Sequence, residues 1–286
     1  MAVLLFGKNG QLGSELERQF QKKHEVISLD RAKADLTNPT QIATRISQYA
    51  PRIVINAAAY TAVDKAESEP ELAQAINATA PGVMAQAARE IGALFVHYST
   101  DYVFDGMANS PYTEDHPTNP QSVYGATKLA GEKAAESAGG QYLILRTSWV
   151  YAKYGHNFLN TMLRLAKEQD ELSVVDDQQG APTYVPDLAD LTSVLIDRYE
   201  NQGESIESGV YHVSGGGRTT WYEFARKIFE LSGNDKIKLT PIYTVDYPTP
   251  AKRPLYSVLS NEKLYKNFAL QLPQWEDALI RCLSSS

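Results

Sequence analysis

Apolar positions in the first half of this chain fall into short runs, and the stretches between them repeat with helical spacing. Val3-Leu4-Leu5-Phe6 is one such run, suited to a strand covered on both faces. Glu15 to Phe20 follows with apolar residues four apart, which predicts a helix. A second strand is expected from Glu25 to Leu29. Asn38-Pro39 reads as a cap with proline at the first helical position, opening a helix to about Tyr49. Further strands are expected at Arg52–Asn56, Leu94–Tyr98 and Tyr142–Leu145, with helices at Glu71–Ile91 and Ser122–Ala138.

Strands alternating with helices predict an α/β fold, a Rossmann-like doubly wound parallel sheet with right-handed crossovers. Ligands of such sheets sit outside the carboxyl ends of the strands. Gly7, Asp30, Ala57, Ser99 and Thr147 all fall at that edge. After Trp149 the pattern loosens. Helices are expected at 157–167, 187–199, 220–231 and 261–265, and short strands at 172–175, 210–213 and 237–242. Prolines cluster at Pro241, Pro248, Pro250 and Pro254, which suggests irregular structure lining a pocket. The expected organisation is a dinucleotide-binding domain over 1–150 and a mainly substrate-binding, interleaved lobe over 151–286. Strands near 172–175 and 210–213 are candidates for returning to the first sheet.

Composition narrows the class. A chain of 286 residues with 43% hydrophobic content can build a sizeable core. A net charge of -7 argues against a nucleic-acid surface. Cys282 is the single cysteine, so no intramolecular disulfide forms, in keeping with a reducing cytoplasm. No stretch approaches the ~18 apolar residues of a membrane span, and Gly7 to Gly13 interrupts any leader-like run.

Gly7-Lys8-Asn9-Gly10-Gln11-Leu12-Gly13 joins the first strand to the first helix. Glycines there permit a tight turn and let backbone N–H groups approach a pyrophosphate at a helix N-terminus. The spacing is G-x-x-G-x-x-G. Asp30 ends the second strand, where an acid binds ribose hydroxyls, and Arg31 follows, where a cation accepts a 2′-phosphate. NADH and NADPH both stay open, with Lys33 favouring NADPH. Ala57-Ala58-Ala59 are small residues past the third strand, against which a cofactor can lie. Tyr124 and Lys128 share one helix face. A cation beside a phenol would lower its pKa from about 10 toward working pH. The same spacing is common on solvated helix faces, so the pair gains its weight from the glycine turn. Ser99 and Thr100 place hydroxyls at the end of the fourth strand, able to hold a substrate carbonyl for proton transfer.

These residues resemble a known family. The Gly7–Gly13 turn, Tyr98-Ser99-Thr100-Asp101-Tyr102-Val103-Phe104 and Tyr124-Gly125-Ala126-Thr127-Lys128 are similar to the extended short-chain dehydrogenase/reductases. Asn56 to Glu67, Leu145-Arg146-Thr147-Ser148-Trp149-Val150-Tyr151, Gly180-Ala181-Pro182-Thr183, Thr219-Thr220-Trp221 and Pro250-Ala251-Lys252-Arg253-Pro254 resemble the dTDP-4-dehydrorhamnose reductase family. The resemblance implies NAD(P)H-dependent reduction of the C4 ketone of dTDP-4-dehydro-L-rhamnose. It implies Tyr124 as proton donor, Lys128 as modulator of the phenol and holder of the nicotinamide ribose, and Thr100 as anchor of the reacting oxygen. Gly10, Gln11, Leu12, Asp30, Asp35, Leu36, Ala59, Tyr60 and Thr61 would contact cofactor. Val63, Asp101, Tyr102 and Trp149 would meet the sugar nucleotide, and Arg253 its diphosphate.

Some members of that family are metal-bridged dimers using acidic residues. Here Glu15 is retained, but Pro186 stands near an expected acid with Asp187 beside it, so no metal is expected. The five histidines show no ligand-like spacing. A monomer or homodimer acting on a small nucleotide sugar, with no nucleic acid or membrane partner, is the expected state. Three rivals share the pattern. Dehydration would need a second acid where Tyr102 stands. An epimerase on the same fold would retain its cofactor, and a reductase could serve another ketosugar. A related non-catalytic branch serves as a regulatory subunit of methionine adenosyltransferase.

Overall fold

A computed structural model describes residues 2–203, 205–234 and 236–284. Five strands of the first half, β1 (Ala2–Phe6), β2 (Glu25–Leu29), β3 (Ile53–Asn56), β4 (Leu94–Thr100) and β5 (Tyr142–Thr147), build a parallel sheet. Gly209–His212 joins beside β5 as the sixth strand, also parallel. The order is Gly209–His212, β5, β4, β3, β1, β2, so the direction of sheet growth reverses between β1 and β3. A crevice opens at such a reversal, outside the carboxyl ends of the strands.

Both faces of the sheet are covered, which is why its strands read as continuous apolar runs. Alternate residues of β1 feed two separate cores. Val3 and Leu5 pack with Leu16 and Phe20 of helix α1 (Gln11–Phe20) and with Leu188, Leu195 and Ile196 of the Val185–Asn201 helix. Leu4 and Phe6 pack with Ile42 and Ile46 of helix α2 (Pro39–Tyr49) and with Met84 and Ala88. Asn38 caps α2 by accepting from the Gln41 N–H at 3.0 Å. A third core, around Tyr151, Met162, Phe224, Ile228, Trp275 and Leu279, belongs to the second half of the chain.

Two expectations are corrected. The strand near 172–175 does not return to the main sheet. Glu171–Val175 pairs in parallel with Lys238–Ile242 as a separate two-stranded sheet. Its first residues are exposed or half-buried, a pattern unsuited to a place covered on both faces. The expected Glu71–Ile91 helix is a broken one: Pro70–Gln74, a π-turn at Ala75–Thr79, then Ala80–Glu90. The π-turn carries buried Asn77 toward the chain after β3. There it accepts from the Tyr60 N–H at 2.8 Å and donates to the Tyr60 carbonyl at 3.1 Å. Single π-turns within helices recur at functional sites.

Candidate active site

A cleft of about 1100 Å³ runs along the carboxyl ends of the strands. At one end the chain leaves β1 through Gly7, whose φ is +89°. A Cβ there would stand 2.7 Å from the Ala58 nitrogen, so only glycine lets β1 and the Ala57-Ala58 segment come together. Helix α1 then starts with Gly10 as its N-cap, without a side-chain cap and without an acid in its first turn. The early N–H groups of a helix have no partner within it. Together with the helix dipole they form a receptor for an anion. Gly10, Gln11 and Leu12 line the cleft here, as do Asp30, Arg31, Asp35 and Leu36. Asp30 accepts from the Lys33 N–H at 3.1 Å, which holds its carboxyl below the usual range. A bound dinucleotide fits this half: open N–H groups for phosphate, an ionised acid for ribose, a cation beside it.

The other end is walled mainly by buried side chains. Thr100 closes β4, directly across from Thr147 at the end of β5. Its hydroxyl donates to Asp101 Oδ1 at 3.0 Å and accepts from the Tyr102 N–H at 3.2 Å. Tyr124 and Lys128 project from the Val123–Ala138 helix, which Ser122 caps through the Gly125 N–H. Gly125 lets that helix press onto β4's exit, since a Cβ would lie 2.2 Å from the Tyr102 carbonyl oxygen. Burial pushes the Tyr124 phenol above its ordinary pKa, and a hydrogen bond with Thr100 works the other way. Burial brings the Lys128 ammonium down to about 8 and raises the Asp101 carboxyl to about 6.

The Tyr/Lys pairing differs from the expectation. Lys128 turns its ammonium to the Tyr98 carbonyl at 2.6 Å, with His97 Nε2 at 3.4 Å. Burial, opposed by the hydrogen bond with Thr100, is the largest influence on the phenol and holds it above its ordinary pKa. The physical reason is that i and i+4 share a face, while a strand carbonyl beneath the lysine offers a nearer acceptor than the phenol.

Other anticipated residues separate. Ala57, Ala58, Ala59, Tyr60, Thr61, Val63, Ser99, Asp101, Tyr102 and Trp149 all line the cleft. Ser99, though, donates its hydroxyl inward to Glu132, which Arg146 also grips at 2.6 Å. Gly13 is not on the cleft wall. It is buried beneath the turn, where a Cβ would lie 2.0 Å from the Gly7 carbonyl oxygen. Arg253 does not line the cleft either: it pairs with Asp64 at 2.6 Å and reaches the Tyr102 hydroxyl at 3.3 Å. Its guanidinium is satisfied by groups on two other elements that sequence distance conceals.

The structure brings further residues to the cleft wall. Tyr154, Gly155 and His156 join the cleft wall because Gln11 clasps their loop, accepting from Asn157 Nδ2 at 2.6 Å. Trp221 lies flat on Trp149, ring centroids 3.5 Å apart. Trp149 holds a positive φ of 46°, and Gly180 leaves room for its indole. The family-like Thr219-Thr220-Trp221 segment leads into a helix, but nothing local places its indole against Trp149.

One cluster lies elsewhere. His24 stands between Glu200, 3.5 Å from Nδ1, and Asp197, 4.0 Å from Nε2. One ligand atom from each of the three lies within 4.8 Å of the others, a spacing that could hold a metal ion. The large sequence separation hid it from spacing arguments.

Comparison with known proteins now adds to this geometry. The family model described as RmlD substrate binding domain matches residues 1–286. The chain is 48% identical to a dTDP-4-dehydrorhamnose reductase of Shigella flexneri, over 99% of this chain and 97% of that one. A crystal structure of a dTDP-4-dehydrorhamnose reductase from Clostridium acetobutylicum superposes with a TM-score of 0.92 at 43% identity, covering 99% of this chain and 98% of that one. A Bacillus anthracis dTDP-4-dehydrorhamnose reductase, solved in complex with NADP, gives 0.92 at 41% identity, covering 100% of this chain and 99% of that one.

Proposed function

Because the chain belongs to the dTDP-4-dehydrorhamnose reductase family, we propose that it reduces the C4 ketone of dTDP-4-dehydro-L-rhamnose to dTDP-L-rhamnose with NADPH. The observation that carries this reading is one continuous cleft with an anion-receiving helix end at one side and buried Thr100 and Lys128, with half-buried Tyr124, at the other. The Bacillus anthracis relative binds NADP, and the Arg31 cation in this cleft suits a 2′-phosphate.

Bound NADPH supplies the hydride. The chain's own residues do the rest. The N-terminus of α1 would hold the diphosphate of the cofactor, with Asp30 on the adenosine ribose and Arg31 beside its phosphate. Tyr124, kept neutral by burial, is in the right state to give a proton as the ketone becomes an alkoxide. Thr100 would hold that oxygen, and its own orientation is set by Asp101 and the Tyr102 N–H. Lys128 would hold the nicotinamide ribose. The stacked indoles of Trp149 and Trp221 offer an apolar face to a deoxyhexose.

Arg253 sits beyond the cleft wall with Asp64, and a diphosphate would have to compete for it. We place the enzyme in the cytoplasm as a monomer or homodimer. Among the described residues no helix is long and apolar enough to cross a membrane. The test is NADPH oxidation followed at 340 nm with enzymatically generated dTDP-4-dehydro-L-rhamnose, with NADH in parallel. Rapid oxidation yielding dTDP-L-rhamnose is expected. Cofactor binding without oxidation would turn the reading toward another ketosugar or a non-catalytic role.

A further inference from the structure

Lys128 is 2% exposed, and the groups around it are tightly specified. Such a lysine is almost never fully buried without partners. Beneath it lies His97 of β4, 1% exposed and contacting Asn56 of β3 through Nδ1 at 3.1 Å. The Asn56 amide cannot turn around freely, because its Oδ1 accepts from the Ala58 N–H at 3.1 Å. Its NH₂ therefore faces His97, and Nδ1 must accept. Burial, followed by the nearby lysine charge, holds the imidazole neutral. A neutral ring with an accepting Nδ1 carries its one proton on Nε2. That N–H points at Lys128 Nζ, 3.4 Å away.

We propose that His97 is a positioning residue for Lys128: its Nε2–H denies the lysine an acceptor inside the protein and leaves the amine's hydrogens for the Tyr98 carbonyl and the cleft. With the opposite tautomer, the ammonium would donate into the buried ring and be lost to a bound ribose. The same contact favours the free amine over the ammonium, since only the amine can accept from Nε2–H. Among the titratable groups around it, Glu132 on its own helix favours the charged form of Lys128, and the lysine charge in turn disfavours protonation of His97 on the strand beneath. The chain Ala58–Asn56–His97–Lys128 thereby ties the wall beside the Gly7 turn to the helix bearing Tyr124. This inference rests on the reductase reading for its kinetic consequences, but not for the tautomer.

The experiment has two arms. Two-bond ¹⁵N–¹H correlation spectra of the wild-type protein read the tautomer of His97 without any substrate. Protonated Nε2 is expected, and protonated Nδ1 or an imidazolium at neutral pH overturns the proposal. The second arm compares His97→Gln with His97→Leu. The glutamine amide can accept from Asn56 and donate toward Lys128, whereas leucine can do neither. Partners that orient metal ligands from one remove are commonly worth roughly 10–100-fold, and the low end of that range sets the scale for a lysine oriented in the same way. His97→Leu is expected to weaken NADPH binding by about tenfold and to move the alkaline limb of that binding upward. His97→Gln is expected to restore most of both. An unmoved alkaline limb in a folded His97→Leu protein would show a purely structural role and overturn the inference. NADPH binding is measured by fluorescence titration, so an inactive wild type would count against the reductase reading alone.

Discussion

The two ends of the cleft are built from opposite kinds of group. At the Gly7–Leu12 end the binding groups are backbone N–H donors at an open helix terminus, and the nearby acids stay ionised. Asp30 and Asp35 are held below the usual carboxylate range by N–H and hydroxyl donors around them. At the Thr100–Lys128 end the groups are side chains, buried at Asp101 and Lys128 and half-buried at Tyr124, and their surroundings drive each toward its uncharged form. An anion can be recognised by fixed dipoles with water close by. Proton delivery needs a donor whose protonation is set by the protein, which requires water to be kept out.

The sharpest way to break this comparison is Tyr124→Phe. Turnover is expected to fall by ~10²–10⁴-fold, while NADPH affinity changes little because the other end does the binding. Full activity in that variant would remove Tyr124 from proton transfer. Lys128→Met bridges the two ends, and should lower both turnover and cofactor affinity. Charge-assisted hydrogen bonds are worth about 1.5–3 kcal/mol, so the affinity loss should be roughly 10–100-fold; an unchanged affinity would rule out a ribose contact.

Asp101→Asn tests the Thr100–Lys128 end through stability. The folded carboxyl titrates near 6 against an ordinary 3.8, so between those values the folded state binds more protons than the unfolded chain. Wild-type stability should therefore contain a component that falls as pH rises from about 4 to 6, amounting to ~2 kcal/mol. Urea unfolding at several pH values reads it as a difference between the two proteins. A difference that does not change with pH would mean the carboxylate is better solvated than its surroundings suggest. Arg31→Ala is the smallest effect, at the Gly7–Leu12 end. It should weaken NADPH more than NADH by about 1 kcal/mol, and by less at high salt, as expected for a screened surface charge. Equal losses for the two cofactors would dissociate Arg31 from the 2′-phosphate.

Much of the first half was legible because each of its elements is specified locally. The short apolar runs named the strands, Asn38-Pro39 named the start of α2, and small residues marked the places where backbone meets backbone. Gly13 shows the limit of that reading. As a glycine of the turn it reads as a cofactor contact, yet its missing Cβ serves the packing of α1 under Gly7. Arg253 shows a second limit. A guanidinium suits phosphate by its chemistry, but which anion it meets depends on Asp64, far away in the chain.

By itself the sequence determined the alternation of strands and helices, the glycine turn, and the residues placed at the strand ends, because periodicity, caps and turns act over a few neighbours. Only the tertiary structure decided that Lys128 faces a strand carbonyl and His97 instead of the phenol, that Gln11 clasps the Tyr154–His156 loop, and that Trp221 lies on Trp149. Those choices turn on burial and on hydrogen-bond partners brought together across long separations. Burial depends on the whole fold, and it is burial that shifts Asp101, Tyr124 and Lys128 toward their uncharged forms.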